Sequence, residues 1–109
     1  MACNEKNYQV IISPDANDRM VDHFEFLARV SIHAANRLLD GLLVDIRNLQ
    51  TDPFRYPLYN RPYLPIGKYR YILSNKRYRV VYQIIGTQVF VDDIQECRQD
   101  DDKSILNKE

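Results

Sequence analysis

A chain of 109 residues with three glycines, two cysteines and no tryptophan is long enough to bury a modest core and short enough to be one domain, taken as 1–109. Its 15 Lys and Arg balance 15 Asp and Glu, so no overall basic field draws it to nucleic acid. No apolar run nears the length of a membrane span and no charged-then-apolar leader opens the sequence.

Cys3 and Cys97 stand near opposite ends, with no CxxC and no His at ligand spacing. A disulfide framework and a zinc site are therefore not expected, no metal or cofactor is called for, and two free thiols suit a reducing cytoplasm.

Residues 1–6 are polar and, with 100–109, are expected to be flexible. Tyr8 to Ile12 is a short β-type run that Ser13-Pro14-Asp15 stops. Ser13 is a good N-cap, Pro14 fits the first helical position, and Asp15 suits the positive end of a helix dipole. From there Ala16, Met20, Phe24, Leu27 and Ala28 recur at helical spacing, which predicts an amphipathic helix to about Val30.

Ser31 caps a second helix, whose stripe is Ala35, Leu38, Leu39, Leu42, Ile46 and Leu49. Gly41 costs that helix up to about 1 kcal/mol relative to Ala, and close packing against the first helix is its expected reason. The short joint between the helices predicts an antiparallel hairpin.

Pro53, Pro57, Pro62 and Pro65 predict an extended, stiffened connection over 51–65. Three strands follow, at about 64–73, 77–85 and 88–96, with turns at Ser74-Asn75-Lys76 and Ile85-Gly86-Thr87. The order β-α-α-β-β-β predicts an α+β domain: a helical hairpin covers one face of a small, mostly antiparallel sheet and leaves the other partly open.

Charge is partitioned along this plan. Pro53 to Val91 carries seven bases (Arg55, Arg61, Lys68, Arg70, Lys76, Arg77, Arg79), no acid, and seven of the eight tyrosines. Arg offers planar, permanently charged donors and Tyr offers ring faces, a combination suited to polyanions. The same composition also fits a meander whose rings are core and whose cations are solvated. His23 and His33 lie in the helical hairpin, far in sequence from the strands, and read as surface or packing residues.

Nearly the whole chain resembles the RelE/ParE superfamily of bacterial type II toxins. The likeness runs through the first strand with its Ser-Pro, the hairpin ending in Asp52-Pro53, and Gly67-Lys68-Tyr69-Arg70. It continues through Tyr78-Arg79-Val80-Val81-Tyr82 and Val91-Asp92-Asp93-Ile94 into Cys97-Arg98. The resemblance implies the β-α-α-β-β-β fold and a toxin held inactive by a cognate antitoxin, as a homodimer or a heterotetramer with that antitoxin. RelE-like members cut mRNA on the ribosome without a metal; ParE-like members inhibit DNA gyrase and cut nothing.

Carried over residue by residue, Arg79 and Arg98 resemble the catalytic-region arginines of the RNA-cutting branch, and Arg70 stands where that branch has Lys. Lys68, Lys76, Arg77, Arg61, Tyr71 and Tyr82 are the matching nucleic-acid-binding candidates. Two departures stand out: Ile72 replaces a further Lys, and Gln99-Asp100 replaces a His or Tyr. Tyr71, Tyr78, Tyr82, Glu96 and Asp100 are the remaining groups for proton transfer. The reading taken is a RelE-like endoribonuclease with an altered active site. Its alternatives are a gyrase inhibitor and an inactive antitoxin-binding relic.

Overall fold

Ser13 ends one element and begins the next. In the computed structural model, which describes residues 7–97, its backbone is extended and its hydroxyl accepts the Ala16 N–H at 3.1 Å. Strand β1 (Gln9–Ile12) therefore stops there, and helix α1 (Pro14–Ala28) starts with Pro14 and Asp15 in its first turn. Ser31 repeats the device at 3.1 Å from the Ala34 N–H, opening α2 (Ile32–Arg47). Each cap contributes about 1 kcal/mol. None of these helices is long and apolar enough to cross a membrane.

The other strands are β2 (Tyr69–Ser74), β3 (Tyr78–Ile85) and β4 (Gln88–Glu96). The sheet order is β1-β4-β3-β2, antiparallel except where β1 lies parallel to β4. Tyr78, Val80 and Tyr82 of β3 and Val89, Val91 and Ile94 of β4 point to the hairpin. There they meet Ala16, Met20, Leu38, Leu42, Ile46 and Leu49, all buried. At roughly 1.5–3 kcal/mol for each fully buried large side chain, this layer is the main apolar contribution to the fold.

Gly41 does not mark close packing between the helices, as its sequence position had suggested. An added Cβ would stand 2.7 Å from the Asn75 side-chain amide, so the glycine admits the β2–β3 turn against α2. Asn75 and Lys76 both adopt left-handed φ, at 54° and 62°, and Asn75 Nδ2 donates to the Leu38 carbonyl at 3.4 Å.

The connection also differs from the extended reading. Pro53–Arg55 is a 3-10 turn, and β2 starts at Tyr69, five residues later than the spacing predicted. Pro65 and Gly67 (φ 78°) turn the chain first, with the Lys68 N–H on the Pro65 carbonyl at 3.4 Å. Between these turns, residues 57–59 run along the outer edge of β2. Tyr59 N–H donates to the Tyr69 carbonyl at 2.7 Å, Tyr71 N–H to the Pro57 carbonyl at 3.1 Å, and Leu58 bridges Arg70. A proline sits here without loss, because only its carbonyl is used. The arrangement also shields an edge that would otherwise invite pairing.

Candidate functional site

The sheet face turned away from the helices follows from register. Strand residues alternate between faces, so Tyr69, Tyr71, Arg79, Val81 and Gln83 share the face opposite Tyr82 and Val80. Tyr59 comes over this face from the connecting segment and packs with Tyr69, Val81, Leu64 and Tyr71 in a second, smaller cluster. Pairing along β3 and β4 slips by one between Val81↔Asp93 and Tyr82↔Val91, leaving Asp92 as a bulged extra residue.

A polar network crosses this face. Arg79 Nη1 donates to Gln95 Oε1 at 2.8 Å, and the Tyr59 hydroxyl donates to the same oxygen at 3.2 Å. Gln95 Nε2 donates to Asp93 Oδ2 at 2.8 Å, while Asp93 Oδ1 accepts the Ile94 N–H at 2.8 Å and lies 3.9 Å from Arg19 Nη1. Tyr59, Gln95 and Asp93 are all buried. Two guanidiniums lie over the Tyr59 ring, Arg61 at 4.5 Å and Arg79 at 5.4 Å from its centre, and Tyr71 meets the ring edge-on at 5.9 Å. Burial makes each of these bonds costly to break, because a buried polar group left alone loses its desolvation cost unrepaid.

The site residues expected from sequence separate in space. Arg79 and Tyr71 are on the open face, with Arg61 beside them and the exposed Lys68 over Tyr69 at 5.4 Å. Arg70 is on the other face: it pairs with Tyr82, donates Nη1 to the Tyr56 carbonyl at 2.6 Å and lies over Phe54. It therefore does not converge with Arg79, because the β2–β3 register pairs Arg70 with Tyr82 and Arg79 with Leu73, on opposite faces. Tyr82 is not available to nucleic acid either. It is completely buried under the hairpin, with its hydroxyl on the Pro53 carbonyl at 2.6 Å. Lys76 and Arg77 sit at the β2–β3 turn, lining an open pocket of about 390 Å³ with Glu96 and Cys97. Arg98, like Asp100 and Cys3, falls outside the described residues.

The candidates for proton transfer are mostly engaged elsewhere. Glu96 pairs with Arg77 at 2.7 Å. Tyr78 is buried on the helix face with its ring against His23, whose Nε2 bonds the Ile94 carbonyl at 2.9 Å. That histidine packs the core, one of the two roles that its place in the hairpin left open. Among the described residues no His, Cys, Asp and Glu are grouped to hold a metal ion.

Carboxylates on the open face temper its positive charge. Asp92 accepts from Gln83 Nε2 at 2.6 Å, and Asp93 lies beside Val81. Arg79 thus bonds a neutral amide. Burial, then the charge and hydrogen bond of Asp92, hold the Tyr69 hydroxyl above tyrosine's ordinary pKa.

Tyr82 is raised much further, chiefly by burial, with the Arg70 guanidinium opposing and Tyr56 and Asp52 adding to the rise. The folded chain therefore keeps this proton longer than the unfolded chain does. Its contribution is complete below tyrosine's ordinary 10.0 and is lost as pH rises above it. Tyr82→Phe is expected to cost about 1 kcal/mol at neutral pH by removing the bond to Pro53. Urea titrations from neutral to alkaline pH should show the variant losing stability less steeply above about pH 10. Equal slopes would contradict the assignment.

Reasoning from sequence missed Tyr59 and Gln95 as the residues that hold Arg79. The period-two alternation of β4 breaks at the Asp92 bulge, and Tyr59 lies in a segment read as a connection. The one available signal was the density of tyrosines and arginines around it.

Residues 10–101 match the family described as the ParE toxin of the type II toxin-antitoxin system parDE. Comparison with curated proteins finds no significant sequence match. Among solved structures, a chain of the chromosomal ParDE TA system from P. aeruginosa superposes with a TM-score of 0.66. The two share 10% identity, over 82% of this chain and 95% of that one. At that identity the likeness speaks for the fold, and it is the β-α-α-β-β-β fold derived above. With nearly its whole length matched, the chain belongs to the ParE toxin family of type II toxin-antitoxin systems.

Proposed function

We propose that this toxin acts by binding a protein target without cutting RNA, with DNA gyrase as the target and a cognate antitoxin as its inhibitor in the cytoplasm. The observation that carries the reading is the separation of Arg70 and Arg79 onto opposite faces of the sheet. An RNA-cutting site needs cations gathered around one phosphate, together with a group that moves the proton. Here Arg79 is spent on Gln95 and two carboxylates share its face, which disfavours a polyanion. Rings and a half-buried arginine on a partly apolar face suit a protein partner better, since such residues dominate protein interfaces. Membership of the ParE family supports the same choice.

The test is to induce the chain alone in a bacterium while following DNA and protein synthesis by labelling, and to add the purified chain to a gyrase supercoiling assay. DNA synthesis should fall first, mRNA should stay intact, and supercoiling should be inhibited at micromolar toxin. Prompt loss of protein synthesis with mRNA cut inside coding regions would overturn the proposal in favour of the endoribonuclease. Absence of any growth defect would favour an antitoxin-binding relic.

A further inference from the structure

A second group of rings and cations lies on the helix side of the sheet, away from the face just described. Phe54 is 54% exposed and meets Tyr8 edge-on at 6.3 Å. The Arg70 guanidinium lies 5.5 Å from the centre of the Phe54 ring, and one of its nitrogens is fixed on the Tyr56 carbonyl at 2.6 Å. The exposed Arg55 lies over the Tyr56 ring at 5.2 Å, and Leu58, also exposed, bridges Arg70 in the β2 edge. Neither Arg55 nor Arg70 has a carboxylate partner among the described residues.

The Arg70 guanidinium is held in place before any ligand arrives, which lowers the entropy lost on binding, and Arg55 reaches out beside it over the Tyr56 ring. Pro53 to Val91 contains no acid, and the adjoining carboxylate, Asp52, acts on Tyr82, as Arg70 does with the opposite sign. A nucleic acid would need an open ring face for base stacking, yet Arg70 already lies over Phe54. What remains exposed is an apolar edge, Phe54 with Leu58, flanked by two cations.

We propose that this cluster docks an acidic polypeptide segment, its carboxylates on Arg55 and Arg70 and an apolar side chain over Phe54 and Leu58. The surface does not depend on which target the open face engages. Carboxylates match the planar guanidinium fork, and a charged rim around an apolar centre is the usual plan of a protein interface.

The experiment titrates the full chain, made by cell-free synthesis, into a short fluorescein-labelled peptide of Asp and Glu around a Leu-Leu pair, read by anisotropy. Arg55→Gln should weaken binding about tenfold, as expected for loss of one charge-assisted contact. Phe54→Ala should weaken it similarly, and Arg55→Lys, which keeps the charge but not the planar fork, by less. Arg37→Gln, on the exposed side of α2, should leave binding within about twofold, showing that net charge alone is not being read. Arg55 is exposed, so its variants should fold normally, which circular dichroism checks. Unchanged affinity in both Arg55→Gln and Phe54→Ala would overturn the proposal. So would an RNA oligonucleotide that binds in an Arg55-dependent way where the acidic peptide does not bind.

Discussion

Tyr59→Ala is expected to destabilise the chain by about 3–5 kcal/mol, the range for deleting a large ring from a packed core. Tyr59 is 1% exposed, although it comes from a connecting segment and not from a strand. Its loss would open a cavity beside Tyr69 and Val81 and remove the ring under Arg61 and Arg79. It would also strip a donor from Gln95. Tyr59→Phe isolates the last effect and should cost about 1 kcal/mol, the net value of one hydrogen bond. Urea denaturation of the two variants measures both terms. A loss below about 1 kcal/mol for the alanine variant would mean that the segment 57–59 does not belong to the folded core. Under the gyrase reading, Tyr59→Ala should also abolish supercoiling inhibition at concentrations where it remains folded, because Arg79 loses its support.

The second large effect is expected at Asp93. Its side chain is completely buried, holds Gln95 Nε2 and the Ile94 N–H on its two oxygens, and lies near Arg19 of α1. Asp93→Ala leaves two buried donors without their acceptor, so a cost of about 1–3 kcal/mol for each of them is expected. Asp93→Asn keeps the volume but can accept on only one oxygen, and should fall between alanine and wild type. The pair with Arg19 is largely buried, so raising the salt concentration should screen it only slightly. Equal stability of Asp93→Asn and wild type would show that one oxygen suffices. That result would separate the Ile94 bond from the Gln95 bond in importance.

Local signals placed most of the elements. Ser13 and Ser31 read as caps because a hydroxyl before a helical stripe meets an orphan N–H, and both do so in the structure. The apolar stripe of α2 identified its buried face, since a period near 3.6 needs no partner to be visible. Period-two alternation in β3 puts Tyr78, Val80 and Tyr82 on one face and Arg79, Val81 and Gln83 on the other, as the structure has them. The family likeness, carried by the order of Gly-x-Tyr-Arg and Tyr-Arg-Val-Val-Tyr, pointed to the superfamily that the match over residues 10–101 supports.

The site was less legible. Arg70 and Arg79 belong to consecutive strands, and whether they share a face depends on the register between those strands, which a single sequence does not state. The β2–β3 pairing of Arg70 with Tyr82 and of Leu73 with Arg79 decides it. A slip of one residue would have reversed the answer. Gly41 was explained by the wrong neighbour for a similar reason: its need is set by Asn75, distant in sequence, whose turn folds back onto α2.

By itself, then, the sequence determined the elements, the caps, the hairpin and the family, because these rest on local periodicity, backbone chemistry and the order of short motifs. The tertiary structure alone decided which cations meet, how the Asp92 bulge turns two carboxylates to one face, and that Tyr59 closes a core from outside the strands. Those outcomes depend on strand register and on contacts between residues far apart in the chain.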